Sequence, residues 1–327
     1  MENYFSESNL KEHIKDKIYD LAKKNAKFAK IYSEDNFKND ELDNLNLYIK
    51  FDKNNLYTSN QEYKQKDIYI NMLNEQICPL LNLSQPMILK INFHDYHETE
   101  GVLTFGSNIN SKSVLIPDLY QIKNYSQSLH FSDNDNVNFL DKKSKIVFGG
   151  SSTGNEFELD KNVRLNTCIW SIKDRWAQIN TVFKITSLVQ ISIQKMSEYL
   201  ISNKCKLSQI YSENISIKEQ LKYRYILSID GNTWSWDRPV WVMNSNSLLF
   251  KYESNNVGWY YPILEENKHY VNVNKHNLEN KFNFFENNNN QAQEIIRNSN
   301  KFVEDYCKSK AWILYFKTLL EEINSNI

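Results

Sequence analysis

Hydrophobic positions along the chain alternate between helical spacing and short continuous runs. In 8–32 an apolar residue recurs every three or four positions, which predicts an amphipathic helix. Helical spacing returns at 239–244, 291–306 and 311–323. Short apolar runs predict buried strands at 86–93, 113–116, 145–148, 223–229, 248–251 and 269–273. The polar segment 34–66 is predicted to be irregular. Strand, turn, helix and strand in this order predict βαβ units, and therefore an α/β fold with a parallel sheet.

Glycine is scarce and concentrated. Four of the 7 glycines lie in two clusters, 147–154 and 230–238, and each cluster follows a predicted strand. Backbone N–H groups and small hydroxyls in such turns can hold a phosphate, and open α/β sheets bind ligands where strands end. The clusters therefore indicate a nucleotide or nucleotide-sugar site. For 148–154 a purely structural turn is the competing interpretation, because the loop lacks the lysine of a P-loop and the G-x-G-x-x-G spacing.

The second cluster carries side chains suited to a nucleotide sugar. Trp234 and Trp236 bracket Ser235, and either ring could stack on a base or a sugar. Arg238 could hold a diphosphate through its planar guanidinium. The alternative is that the tryptophans pack in the core and the arginine lies on the surface.

Carboxylates offer two further candidate features, a general base and a metal-binding pattern. Asp95 follows a predicted strand and could accept a proton from an attacking hydroxyl, although a lone aspartate in a loop is more often a turn residue. Asp133 and Asp135 form a D-x-D pattern of the kind that holds Mn²⁺ or Mg²⁺ in metal-dependent glycosyltransferases. In a chain so rich in Asp and Asn this pattern is also what a solvated loop looks like, and 132–136 is the expected domain boundary.

Composition narrows the class of protein to which this chain can belong. The 327 residues suffice for two domains, and hydrophobic residues make up 41%. A net charge of −1 gives no basic excess for nucleic-acid binding. The four cysteines are far apart, which predicts neither a zinc site nor a disulfide framework. Without a signal-like N-terminus or a membrane-length apolar run, we expect a cytoplasmic protein, at most peripherally associated with the inner membrane surface. The apolar stripe of 312–323 is expected to dock on a core.

Taken together, the second half of the chain resembles glycosyltransferase family 90, which contains capsule-associated, Rumi-type and lipopolysaccharide-modifying enzymes. The matching blocks are 225–236, 244–251, 259–262, 269–273 and 291–295. Upstream, 148–154 resembles the family's F-R-G-S/T-x-T-G loop, and 91–96 resembles the segment with its catalytic aspartate. Gly149 and Ser152 stand where arginines occur in relatives, and Asp237 shifts Arg238 by one residue.

The resemblance implies a GT-B fold, with two Rossmann-like domains facing across a cleft. The expected parts are an acceptor-side domain at 1–140, a nucleotide-sugar-binding domain at 141–308 and a C-terminal helix at 309–327 that packs back on the first domain. Asp95 would be the general base of an inverting, metal-independent transfer from UDP-glucose or UDP-xylose, with no cofactor. The residues implied to bind the nucleotide sugar are Gly150, Ser151, Ser152, Thr153, Gly154, Asp230, Gly231, Trp234, Ser235, Trp236, Arg238, Lys251 and Glu253.

The sequence leaves the identity of the acceptor open, and it also leaves two alternative functions open. Lipopolysaccharide or another surface glycan ranks ahead of a protein hydroxyl as acceptor. One alternative is a metal-dependent transferase that uses Asp133 and Asp135. The other is a non-catalytic nucleotide- or carbohydrate-binding module, which the departures at Gly149 and Ser152 motivate.

Overall fold

The computed structural model describes residues 6–39, 46–59, 64–93, 100–118, 128–155, 157–189, 191–213 and 215–327. The strands are β1 (Asn46–Asp52), β2 (Asn55–Thr58), β3 (Met87–Asn92), β4 (Leu103–Thr104), β5 (Gly106–Asn108), β6 (Val114–Leu115), β7 (Lys143–Ser151), β8 (Thr181–Ser187), β9 (Tyr223–Ser228), β10 (Leu248–Tyr252), β11 (Asn256–Gly258) and β12 (Val271–Val273). The helices are α1 (Glu12–Ala26), α2 (Glu34–Lys38), α3 (Lys64–Met72), α4 (Ser128–Asp133), α5 (Val163–Lys173), α6 (Arg175–Asn180), α7 (Ile193–Ser202), α8 (Leu207–Ile210), α9 (Ile217–Gln220), α10 (Arg238–Met243), α11 (Leu278–Asn287), α12 (Asn289–Phe302) and α13 (Ala311–Ser325).

The chain divides into two compact units. Unit 1 comprises 1–124, 255–263 and 304–327, and unit 2 comprises 125–254 and 264–303. The predicted boundaries fell at 140/141 and 308/309, so the units differ from them by assigning 125–140 to unit 2, and 255–263 and 304–308 to unit 1. The helix α13 belongs to unit 1.

Unit 1 is built on a mixed sheet. Its strand order is β2-β1-β3-β4-β6, in which β1 runs antiparallel to both neighbours and β3, β4 and β6 run parallel. A separate ribbon pairs β5 with β11. The prediction that 34–66 is irregular was wrong, because β1 lies inside the sheet with Leu47, Ile49 and Phe51 buried. Its apolar residues are interrupted by Lys50, which weakens the strand pattern.

The helix α13 is a core element of unit 1. Trp312, Phe316 and Leu320, which belong to the predicted stripe, are buried, and so are Leu314 and Tyr315 on other faces. The hydroxyl of Tyr315 accepts from Asn25 of α1 at 2.8 Å and donates to the carbonyl of Leu115 at 2.6 Å. A helix that is apolar nearly all round belongs in a protein interior. The prediction that this segment docks on a core is confirmed.

Unit 2 is built on a fully parallel five-stranded sheet. Its order is β12-β10-β9-β7-β8, and every neighbouring pair runs parallel. Parallel strands are buried on both faces, so they need apolar residues throughout, as in 146–148 of β7 and 225–227 of β9. The predicted α/β class with a parallel sheet is confirmed. The edge strand β8 was not predicted, although its buried and partly exposed positions alternate over 181–186.

Helices of unit 2 cover the sheet and begin at defined caps. Asn162 accepts from the N–H of Leu165 at 2.9 Å and so caps α5, and Asp174 caps α6 in the same way. Phe282 of α11 contacts Tyr225 of β9 and the ring of Trp176. One apolar core therefore joins α5, α6, α11 and the sheet. The GT-B arrangement, with two domains facing across a cleft, stays a prediction.

Candidate functional site

The strand order of unit 2 creates a switch point between β7 and β9. Chain connections lead from β7 outward to β8 on one side, and from β9 outward to β10 and β12 on the other. In sheets wound in this way, ligands bind outside the carboxyl ends of the strands, at the point where the strand order reverses. Both glycine clusters follow these two strands. The topology therefore places the two sequence-predicted loops at the position where α/β sheets bind ligands.

The two glycine clusters are in direct contact. The N–H of Gly154 donates to Asn232 Oδ1 at 2.9 Å. A Cβ added to Gly231 would stand 2.6 Å from Thr153 Oγ1, and one added to Gly154 would stand 3.3 Å from the carbonyl of Gly231. Gly154 also has a φ of +105°, a conformation that favours glycine. Glycine at 154 and 231 therefore allows the loops to approach each other this closely.

Arg164, which the sequence analysis did not identify, joins the two loops. Its Nε donates to the carbonyl of Ile229 at 3.0 Å, and its Nη1 donates to Ser151 Oγ at 3.0 Å and Thr153 Oγ1 at 2.6 Å. The side chain is buried. The N-cap at Asn162 fixes the start of α5, so that Arg164 points from the first turn to the strand ends. The sequence signal that could have identified Arg164 is its position two residues after an N-cap, in the helix that follows a glycine-rich loop.

Asp230 anchors a second polar cluster. Its carboxylate accepts from Ser235 Oγ at 2.7 Å and from Ser254 Oγ at 2.5 Å, and the ammonium of Lys251 lies 3.8 Å away. Both Asp230 and Lys251 are buried. The predicted residues Asp230, Ser235 and Lys251 thus lie together at the ends of β9 and β10. Glu253 follows β10, where it is exposed and accepts from Asn274 Nδ2 at 3.0 Å.

Two predicted phosphate donors have acceptors within the protein. The N–H of Ser152 donates to the carbonyl of Ser187 at 2.9 Å, and that of Gly154 is held by Asn232. The hydroxyl of Ser152 is fully buried and bridges both backbone groups of Val189. Ser152 therefore connects β7 to the segment after β8. Ser151 and Thr153 are only partly buried, and their hydroxyls lie 3.0 Å apart.

Arg238 lies beside β7. Its Nη2 donates to the carbonyl of Gly149 at 2.5 Å and its Nη1 to Gln220 Oε1 at 2.9 Å, while the guanidinium stacks over Phe148. Burial is the main cause that lowers the pKa of Arg238 to about 10, and the charge of Arg164 is the second cause. A Cβ at Gly150 would stand 3.3 Å from the Arg238 Nη2 atom. Two arginines thus lie close to one strand end.

The two tryptophans differ in exposure. Trp234 is buried at 1% exposure, whereas Trp236 is partly exposed and has a φ of +48°. Their ring centroids are 5.8 Å apart and tilted by 35°. Only the ring of Trp236 therefore presents surface on which a base or sugar could stack.

The remaining candidates are the predicted general base and the two D-x-D aspartates. Asp95 lies outside the described residues, three positions after the end of β3. The side chain of Asp135 is buried and paired with Lys142 at 2.5 Å, and it also accepts from the N–H of Asn246 at 2.8 Å. Asp133 accepts from Asn244 Nδ2 at 3.0 Å. Both D-x-D aspartates therefore have partners within the protein, and the carboxylate of Asp135 is shielded from solvent.

The described residues contain neither a membrane-length apolar helix nor a cluster of metal ligands. None of the helices in that part of the chain is both long and apolar enough to cross a membrane. Over the same residues, three or more His, Cys, Asp or Glu side chains do not gather into a metal-binding group.

A parallel α/β sheet with loops at its switch point is an arrangement in which α/β proteins commonly bind their ligands. The sequence profile described as "Glycosyl transferase family 90" matches residues 90–325. This range covers well over half of the chain and includes all of the site just described. The chain belongs to glycosyl transferase family 90, and the predicted family is confirmed.

Two relatives give the likeness in detail. The chain is 33% identical to an O-glucosyltransferase, LpsA, from Dichelobacter nodosus over 101 residues, which are 30% of this chain and 31% of that protein. The match thus spans about a third of the curated relative's length. In structure the chain is similar to the C-terminal domain of a glycosyl transferase group 1 family protein, LpcC, from Francisella tularensis. That likeness has a TM-score of 0.32 at 10% identity and covers 58% of this chain and 94% of the domain.

Proposed function

We propose that this glycosyltransferase moves glucose or xylose from a UDP-sugar to an acceptor hydroxyl, with inversion at the anomeric carbon and without a metal or cofactor. Lipopolysaccharide or another surface glycan is the acceptor that we put first, ahead of a protein. Membership of family 90 supports sugar transfer. The name of the similar O-glucosyltransferase from Dichelobacter nodosus supports glucose and an oxygen acceptor.

The observation that carries the donor site is the convergence of Arg164 and Arg238 on the end of β7. Arg238 donates to the carbonyl of Gly149, and Arg164 donates to the hydroxyl of Ser151 two residues later. Burial and, after it, the charge of Arg164 lower the pKa of Arg238, since two like charges near one strand end disfavour each other. An anion at this strand end would relieve that repulsion. A diphosphate has the charge and the acceptor oxygens for this position.

The polar groups around this strand end suit the departing UDP. Negative charge grows on the diphosphate as the bond to the sugar breaks, and fixed cations stabilise it without reorganising. Arg164, Arg238 and Lys251 supply the positive charge in our proposal. The partly buried hydroxyls of Ser151 and Thr153 offer donors, and the ring of Trp236 offers a stacking surface. These groups would replace the metal ion of D-x-D enzymes.

Asp95 is our candidate for the general base. The proposal is that it takes the proton of the acceptor hydroxyl while that oxygen attacks the anomeric carbon from the face opposite UDP. Support for this role comes from the resemblance of 91–96 to the family's catalytic segment. Attack from the opposite face inverts the anomeric configuration, so the reaction is a single displacement.

A panel of nucleotide sugars tests the proposal. We expect UDP-glucose or UDP-xylose to raise the melting temperature, because a ligand that binds only the folded state stabilises it. ADP-glucose and GDP-mannose serve as matched controls for the nucleobase. The same donors are then assayed for UDP release with and without a lipopolysaccharide core as acceptor. A chain that binds no UDP-sugar and releases no UDP would exclude the proposed function.

A further inference from the structure

A cavity of about 390 Å³ lies within unit 2, at the carboxyl edge of the sheet. One wall is the face of α5 that carries Val163, Thr167 and Trp170, which lie at helical spacing. Tyr252 at the end of β10 and His276 before α11 line it from other sides. The volume is in the range of small-molecule sites. None of the residues assigned to the site above lines this cavity.

The aromatic wall of the cavity is held in place. Trp170 lies 6.2 Å from Trp176, and Trp176 packs edge-on against Phe282 at 5.6 Å. Trp170 is nevertheless partly exposed, so its ring is accessible from the cavity. Burial raises the pKa of Tyr252, so its hydroxyl stays protonated at neutral pH. A fixed indole with a phenol nearby is suited to a flat ring that carries polar edges.

The mouth of the cavity is polar and carries a cation. Lys275 is exposed there beside His276. Lys161 also lines the cavity but pairs with Glu158 at 2.5 Å. No carboxylate of the described residues forms an ion pair with Lys275. An aromatic wall below and a lysine at the rim favour a ring compound that bears a negative charge.

The cavity and the β7–β9 strand ends share two chain segments. Arg164 reaches the strand ends from the same first turn of α5 from which Val163 lines the cavity. Tyr252 precedes Ser254 by two residues, roughly 7 Å along an extended chain, and Ser254 donates to Asp230. A ligand with an anionic group at the strand ends would therefore have its remainder next to this cavity.

We infer that this cavity binds the nucleoside end of the donor, with the base against Trp170 and the ribose-phosphate side toward Lys275. The inference rests on the proposed function, since it names where the nucleoside of the UDP-sugar lies. It assigns a binding role to Val163, Trp170, Tyr252 and Lys275, which the sequence analysis did not select. Base recognition would then lie beside the strand-end loops, not in them.

Calorimetry with UDP, UMP, uridine and pyrophosphate tests the inference on the full chain. Val163→Trp fills the mouth of the cavity from an exposed position, and Ile201→Trp on α7 is its matched control because that side chain is also exposed. We expect Val163→Trp to weaken UDP, UMP and uridine by about tenfold or more, and to leave pyrophosphate unchanged. Lys275→Glu should weaken UMP and UDP more than uridine, whereas the exposed Lys301→Glu should change neither.

The outcomes separate the two proposals. If wild-type protein binds UDP and Val163→Trp binds it equally well, the cavity is not the nucleoside site, and the proposed function stands. If Val163→Trp loses pyrophosphate to the same extent as uridine, it acts through the fold and the inference fails. If the wild type binds none of the four probes, both the inference and the proposed function are overturned.

Discussion

Arg164 donates from Nη1 to the hydroxyl of Thr153 at 2.6 Å and from Nε to the carbonyl of Ile229 at 3.0 Å. One side chain of α5 therefore ties the loop after β7 to the loop after β9. The bond to Ile229 is buried and the bond to Thr153 is partly buried, so a truncated side chain would leave these acceptors without their donor. The two loops would then lose the bridge that fixes their spacing.

Arg164→Ala should weaken UDP binding by about tenfold or more and lower the unfolding free energy by about 1–3 kcal/mol, because buried acceptors lose their donor. Arg164→Lys restores the charge but not the forked geometry, so it should recover only part of the affinity. Calorimetry and chemical denaturation measure the two effects. Arg175→Ala, an exposed arginine at the start of α6, is the matched control and should change neither. Wild-type affinity in Arg164→Ala would contradict the bridging role.

Gly231→Ala should disturb the same loops from the opposite side. Its Cβ would meet Thr153 Oγ1 at 2.6 Å and Arg164 Cζ at 3.1 Å, so one loop must shift. We expect weaker UDP binding and a lower melting temperature. Thr153→Ala removes the closest atom, so the double variant should be impaired by less than the sum of the two single changes. A double-mutant cycle should give a coupling of about 0.5–3 kcal/mol. Strict additivity would show that the contact between the loops does not matter.

Local patterns in the sequence predicted the framework of the candidate site. The runs 145–148 and 223–229 are apolar enough to be buried parallel strands, and the scarcity of glycine marked the loops that follow them. Both strands and the helix after the second loop are confirmed. The strand β1 was missed because charged and polar residues interrupt its apolar positions. The burial of β1 depends on the strands that flank it in the sheet, and the local sequence pattern does not contain that information.

The partners of individual side chains could not be predicted in the same way. Arg164 and Ile229 are 65 residues apart, and only the folded sheet brings them together. Ser152 has the residue type of a phosphate ligand, yet its hydroxyl bridges Val189. Trp234 is buried, whereas Trp236, two positions later, is partly exposed. A sequence shows which groups could bind a ligand, whereas tertiary contacts decide which of them are already engaged.

Asp95→Asn should abolish sugar transfer while leaving UDP binding close to that of the wild type. The amide keeps the shape of the side chain but cannot accept the acceptor's proton. Turnover with the best UDP-sugar and calorimetry with UDP measure the two properties separately. Asp67→Asn, at an exposed carboxylate of α3, is the matched control and should keep full turnover. Normal turnover in Asp95→Asn would remove the residue from the reaction.

Asp135 and Lys142 give a prediction that separates the proposed mechanism from a metal-dependent one. The two side chains are 3% and 0% exposed and lie 2.5 Å apart. Breaking such a buried pair leaves a charge without its partner and typically costs about 3–5 kcal/mol. Asp135→Asn should therefore lower the unfolding free energy by that amount, measured by denaturant titration. Turnover of the folded fraction should stay normal, and wild-type turnover should persist in excess EDTA.

The controls for this prediction distinguish a structural carboxylate from a metal ligand. Asp141→Asn, an exposed neighbour, should leave both stability and turnover unchanged. Lys142→Met combined with Asp135→Asn removes both charges at once, so the double variant should be more stable than either single variant. A metal ligand behaves differently. If EDTA stops the wild-type enzyme, Mn²⁺ restores it, and Asp135→Asn is stable but does not respond to Mn²⁺, the aspartate holds a metal and the cation-stabilised mechanism proposed for Arg164 and Arg238 is wrong.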